Sequence, residues 1–295
     1  MGILSRQKTV LAILDAVGRE LGHTTLVKLA FLVRTETRWG RVGAFYDFVP
    51  YKYGPFSFTL YRDLRALAAS GYLVETEETV SLGTPMPTLT VNALRSLPLN
   101  AVAAVRQVVT RYGKLDCRSL VHEVYRRYPW YAVNSEIKRP RPCPIKGSSP
   151  ATTAVYTIGY EGRSVDCFLH DLLLAGIQAI VDVRANPVSR KYGFARRSLS
   201  ALAKRVGLDY SHLPQLGIPS ADRKGLADEA SYQQLLNRYE FEMLPQRVGD
   251  IDRLIGLLAR RPSALMCMEK DARMCHRGRL AEAASRLTGW KVLHL

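Results

Sequence analysis

In the stretch Ala264-Leu-Met-Cys-Met-Glu-Lys-Asp-Ala-Arg-Met-Cys-His-Arg-Gly278, a short apolar run gives way to charge at Glu269, and then to Cys275, His276 and Arg277. The apolar spacing from Leu280 to Leu287 is helical, so the stretch is expected to fold as strand, loop and helix. A carboxylate, a thiol, an imidazole and a guanidinium then meet in one turn. Helix N-termini carry partial positive charge, and open α/β sheets take ligands at this edge. Glu269 and Asp182 are the carboxylates able to orient a water or hold a divalent metal. His276 and His212 are imidazoles that could titrate near neutrality. The expected catalytic set is Asp182, Glu269, His276, Arg184 and Arg277, with both arginines stabilising developing negative charge.

Each residue type also has a plainer use. Asp182 in an apolar strand suits a buried ion pair with Arg184, Arg163 or Arg277 as well as it suits catalysis. Cys267 in a core strand suits packing. Cys275 at a helix start suits either a lowered-pKa nucleophile or a cap. A metal on Cys267, Cys275 and His276 would need a spacing outside the standard zinc patterns, and the identity of any cofactor stays open.

The elements that must position these groups alternate along residues 154–295. Strands are expected at Val155–Ile158, Ala179–Val183, Asp209–Leu213, Ala264–Met268 and Lys291–His294, with helices between them. Such alternation implies a Rossmann-like, mainly parallel sheet with right-handed crossovers. The strand ends then share one edge, which gathers Tyr160, Glu161, Arg163, Ser189, Arg190, Lys191, His212 and Cys275 as substrate-binding candidates. Gly159, Gly162 and Gly217 would let backbone approach a ligand closely.

Thr-Ile-Gly-Tyr-Glu-Gly-Arg-Ser164, Val-Asp-Val-Arg-Ala-Asn-Pro-Val-Ser-Arg190, His-Leu-Pro-Gln-Leu-Gly217 and Cys-Met-Glu-Lys-Asp with Cys-His-Arg277 resemble the signature blocks of a bacterial family. It is the family of unknown function DUF488. The resemblance covers nearly all of residues 154–295 and implies a fold and a pocket rather than a reaction. Val-Asp-Val-Arg184 is also similar to rhodanese domains, but no cysteine loop of the rhodanese kind is identifiable.

Residues 1–132 read differently. Helices are expected over Lys8–Leu21, after His23, over Phe58–Ser70, Leu99–Tyr112 and Asp116–Tyr128, with a hairpin formed by Val80–Leu82 and Thr88–Val91. Helices followed by a hairpin, with Tyr-Gly-Pro-Phe-Ser57 before the third helix, resemble the winged-helix-like domains of bacterial regulators. That resemblance implies Arg62, Arg65 and Lys52 as DNA contacts, or else a winged helix that serves only protein contacts. Residues 133–153, rich in proline and basic residues, read as a linker.

At 295 residues and 47% hydrophobic, the chain can bury two cores. Lys and Arg outnumber Asp and Glu by 42 to 26, a formal charge of +16, which favours nucleic acid, DNA first, as the partner. An odd number of cysteines, five, without regular spacing argues against a disulfide framework. No window is apolar enough to span a bilayer, and the charged start is unlike a signal peptide, so no membrane partner and a cytoplasmic location are expected. Oligomeric state stays open. The expectation is a hydrolase acting on nucleic acid at base, sugar or phosphate, in DNA repair or phage defence. The alternative is a DNA-binding regulator that senses a small anionic ligand without turnover.

Overall fold

A computed structural model of the chain describes residues 2–42, 45–137, 152–223 and 228–295. The proline-rich basic stretch 138–146, with Cys143, and the linker residues 147–151 lie outside the described residues. The chain divides into two compact units, residues 1–145 and 146–295.

The first unit is built on helices: α1 (Ser5–Val17), α2 (His23–Glu36), α3 (Arg38–Val42), α4 (Phe58–Ala69), α5 (Thr88–Arg95), α6 (Leu99–Tyr112) and α7 (Cys117–Arg127). Helix α2 is buried continuously from Thr25 to Val33, apolar except for Thr25 and Lys28, as a helix enclosed on every side. It packs on α1, α6 and α7. Helix α1 stops at Gly18, which takes the left-handed conformation at φ 70° and ends the helix before Leu21. Asp116 and Ser57 cap α7 and α4 by accepting from Ser119 N and Leu60 N.

Short strands complete this unit: β1 (Leu21–Gly22), β2 (Val49–Tyr51), β3 (Gly54–Phe56), β4 (Val74–Glu75) and β5 (Thr79–Ser81). Strands β2 and β3 form one hairpin, and β1, β5 and β4 form an antiparallel sheet in that order. The second hairpin therefore falls earlier than its expected place. Thr76 Oγ1 accepts from Glu78 N and Thr79 N, closing a turn between β4 and β5. Thr88–Val91, expected as a strand, is the start of α5 instead. Pro87 before it cannot donate to a ladder, and Thr90 and Ala93 bury one helical face.

The second unit carries β6 (Val155–Gly159), α8 (Val165–Leu174), β7 (Ala179–Asp182), α9 (Arg196–Arg205), β8 (Asp209–His212), α10 (Glu229–Arg238), α11 (Val248–Arg260), β9 (Ser263–Cys267), α12 (His276–Thr288) and β10 (Val292–His294). The five strands pair in parallel in the order β10-β6-β9-β7-β8. Strand β9 is central, and β6, β7 and β9 are buried along their whole length, as a sheet covered on both faces requires. Gly159 lies opposite Cys267, and Asp182 opposite both His212 and Met266. The carboxyl ends of the strands thus form one edge, and the functional side chains follow from it.

Candidate functional site

Strand β9 ends at Cys267, and the chain turns through Glu269 and a short 3-10 turn, Ala272–Met274, before α12 opens at His276. Cys275 stands just before the helix in extended conformation, φ −148° and ψ 138°. This path brings four side chains together. The thiols of Cys267 and Cys275 donate to Glu269 Oε2 at 3.1 and 2.9 Å. Their sulfurs lie 3.7 and 3.9 Å from His276 Nδ1. Cys267, Cys275 and His276 are all fully buried.

The other oxygen of Glu269 looks outward. Arg223 Nη1 and Tyr232 Oη donate to Oε1 at 3.2 and 3.4 Å. Glu269, Tyr232, Glu161, Lys270, Asp271, Arg273 and Met274 line an open cavity of about 850 Å³. Burial works against the charge on Glu269. The Cys275 thiol, the residue's own N–H, the Cys267 thiol and the Arg223 guanidinium outweigh burial, and the carboxyl is pulled down to about 2. Burial and then the Cys267 sulfur push the Cys275 thiol well above its ordinary value, so the lowered-pKa nucleophile is not what this environment produces. The Tyr232 phenol is raised by burial and by Glu269 beside it.

The imidazole of His276 is fixed at both nitrogens. Nε2 lies 3.0 Å from Val183 O, which can only accept. Arg223 Nη2 lies 3.3 Å from Nδ1 and can only donate. The neutral tautomer protonated at Nε2 satisfies both, leaving the Nδ1 lone pair turned to the thiols.

Asp182 and Arg184 form a second cluster. Asp182 is fully buried and accepts from Arg184 N, Nε and Nη2 at 3.1, 2.9 and 2.6 Å, and from Tyr210 Oη at 2.6 Å. Arg184 also donates to Phe194 O at 3.0 Å and Tyr160 Oη at 3.4 Å, and lies over the Tyr160 ring. Burial alone would lower the Arg184 pKa, but the bonds to Asp182 raise it above its ordinary value. Both groups are engaged by protein partners, in the buried ion pair that was one of the two uses expected of Asp182. His212 Nε2 sits 2.8 Å from Arg184 O, so it braces the same loop.

Arg277, expected to stabilise charge in the reaction, is buried and donates to Glu269 O and Lys270 O at 2.5 and 3.0 Å. These bonds hold the backbone that presents Glu269. Gly159 and Gly217 make close approaches to protein backbone rather than to a ligand: an added Cβ would fall 1.9 Å from Glu269 O and 2.1 Å from Ala185 N.

The remaining candidates lie around this edge. Glu161 Oε2 accepts from Lys270 N at 2.9 Å. Arg163 pairs with Asp171 and donates to Leu295 O. Lys191 Nζ donates to Tyr160 O at 3.1 Å, and burial lowers its pKa. Ser189 Oγ accepts from Lys191 N, and Arg190 is exposed on the same loop. Arg223, Tyr232 and Tyr210 are members that the sequence did not mark; nothing local distinguishes them, because their partners lie on other elements. A larger cavity, about 1210 Å³, opens in the first unit beside Tyr112, His122 and Tyr125. On its wall Glu123 pairs with Arg126, and Tyr112 donates to Glu36.

Residues 164–284 match the family described as Domain of unknown function DUF488. The carboxyl-terminal unit is therefore similar to that family over most of its length. No curated protein and no solved structure matches the chain. No helix among the described residues is long and apolar enough to cross a membrane.

Proposed function

We propose that this chain binds nucleic acid, DNA in preference, and processes it by hydrolysis at a site centred on Glu269. The observation that carries this is the divided environment of Glu269. One carboxylate oxygen is anchored on two buried thiols, and the other is exposed to a cavity beside Arg223 and Tyr232. A carboxylate held in this way accepts a hydrogen bond from a water and orients it toward an electrophilic carbon or phosphorus. Arg223, which donates to Glu269 Oε1 at 3.2 Å, is the cation nearest the water so oriented.

The formal charge of +16 supports a polyanionic partner. The first unit supports a winged-helix-like role. Its order α1, β1, α2, α3, the β2–β3 hairpin, α4, then the β4–β5 hairpin, with β1 paired to β5, suits a helix offered to duplex and a wing beside it. On α4, Arg65 is exposed, whereas Arg62 pairs with buried Asp63. Lys52 is exposed and paired with Glu136. A repair or defence role suits this combination. The anion-sensor alternative is less favoured, because Arg163, Arg184 and Arg277 are already engaged by the protein's own oxygens.

The test is incubation of the full chain with plain, damaged and modified DNA and with RNA, with and without divalent cations, and product detection by mass spectrometry. Product that vanishes in Glu269→Gln, with binding retained, is the expected result. Absence of product across the whole panel, together with thermal stabilisation by small anions, would favour the sensor.

A further inference from the structure

We propose that Cys267 Sγ, Cys275 Sγ and His276 Nδ1 form a binding site for one thiophilic divalent cation of the zinc class. The three donor atoms all lie within 4.8 Å of one another. A tetrahedral zinc with bonds of about 2.3 Å to sulfur and about 2.0 Å to nitrogen would set sulfur and nitrogen roughly 3.6 Å apart. The sulfur–nitrogen distances here are 3.7 and 3.9 Å, close to that spacing.

The imidazole is prepared for this use. Its Nε2–H donates to Val183 O at the end of β7, the outer bond that orients a metal-binding histidine and fixes its tautomer. Nδ1 faces both sulfurs, and Arg223 Nη2, which donates to it at 3.3 Å, is the group an ion would displace. Two of the donors sit where α12 begins and the third at the end of the central strand, so their positions are set by regular elements rather than by a loop.

Charge balance agrees. Two thiolates and the Glu269 carboxylate carry three negative charges, and Arg223 returns one positive charge. A divalent cation that replaces the two thiol protons leaves this set neutral, as it is with both thiols protonated, so loading leaves no uncompensated charge. Three protein ligands leave one position for water or substrate, as in catalytic rather than structural zinc sites. Glu269, whose Oε2 accepts from both thiols and would lose those bonds as they deprotonate, is the carboxylate beside that position, and it lines the cavity. A zinc held by two cysteines and a histidine with an adjacent glutamate that is not a ligand is also the donor set of nucleobase deaminases. The inference therefore deepens the proposed hydrolytic function at the same site. It is read out without any substrate, so the two can fail separately.

The experiment uses the full chain. Metal content is measured by mass spectrometry after purification without chelator, and again after stripping and reloading with zinc or cobalt(II). The expected result is one ion per chain, release of about two protons on zinc loading, and thiolate-to-metal charge transfer with tetrahedral bands in the cobalt form. X-ray absorption of the zinc form should show two sulfur ligands and at least one nitrogen. Cys267→Ser and Cys275→Ser should each lose stoichiometric loading, whereas Cys117→Ser, at an exposed thiol outside the cluster, should keep it. If the buried variants fail to fold, the sulfur count on the wild-type protein decides. Sub-stoichiometric loading after reconstitution, a cobalt spectrum without sulfur ligation, or a Cys267–Cys275 disulfide in its place would each overturn the proposal.

Discussion

Replacing Asp182 by asparagine keeps the shape of the side chain and removes its charge. In the folded protein Asp182 accepts three bonds from Arg184 and one from Tyr210, with no exposure to solvent. The Arg184 guanidinium, itself only 6% exposed, would be left with Phe194 O and Tyr160 Oη and without a counter-ion. Breaking one half of a buried pair costs about 3–5 kcal/mol. For a unit of this size that corresponds to a fall in Tm of roughly 10–15 °C. Calorimetry on the full chain should show this fall in the transition of the carboxyl-terminal unit. The double variant Asp182→Asn with Arg184→Met should recover part of it, because neither charge then remains buried. A Tm unchanged within about 2 °C, with activity abolished, would refute the structural role and return Asp182 to the chemistry.

Lys28 is 2% exposed and donates to Pro55 O at 3.1 Å; burial lowers its pKa to about 7 from 10.5. Between those values the unfolded chain holds a proton that the folded one lacks, so stability should rise with pH by up to about 1.4 kcal/mol per unit. The penalty is complete below the folded value and gone above the unfolded one; denaturant titrations at several pH values should give this slope, and Lys28→Met should flatten it. Gly159→Ala would drive a methyl group into Glu269 O, so it should lower activity by displacing Glu269, and unaltered activity would contradict the placement of that loop. Arg65→Glu on α4 should weaken DNA binding and reduce the salt slope by about one or more, measured by fluorescence anisotropy across salt concentrations. An unchanged slope would move the nucleic-acid surface away from α4.

The sheet was legible because each strand is a short apolar run followed by a helical repeat, and parallel pairing then puts all the strand ends at one edge. Glu269, Cys275 and His276 were legible for the same reason, being adjacent in sequence and bounded by a strand and a helix. Their partners were not. Arg223 and Tyr232 reach Glu269 across 46 and 37 residues, and no local pattern marks a contact made only by folding. Asp182 and Arg184 were placed on the right edge and named as a possible pair, but the choice of Arg184 over Arg163 and Arg277 rests on Tyr210 from the neighbouring strand and on Phe194. In the first unit, Thr88–Val91 has the alternation of a strand, yet packing beneath Tyr72 O, which accepts from Thr90 Oγ1, makes it helical. Tertiary contacts decide such short β-branched segments.

The measurement that bears most directly on the whole account is turnover of nucleic acid by wild type and Glu269→Gln, side by side with binding. Removal of the water-orienting carboxylate should cut product formation by roughly 10²–10⁴-fold and leave DNA affinity within about twofold, because binding is assigned to the basic first unit. Equal turnover by the two proteins would contradict the placement of the reaction at Glu269.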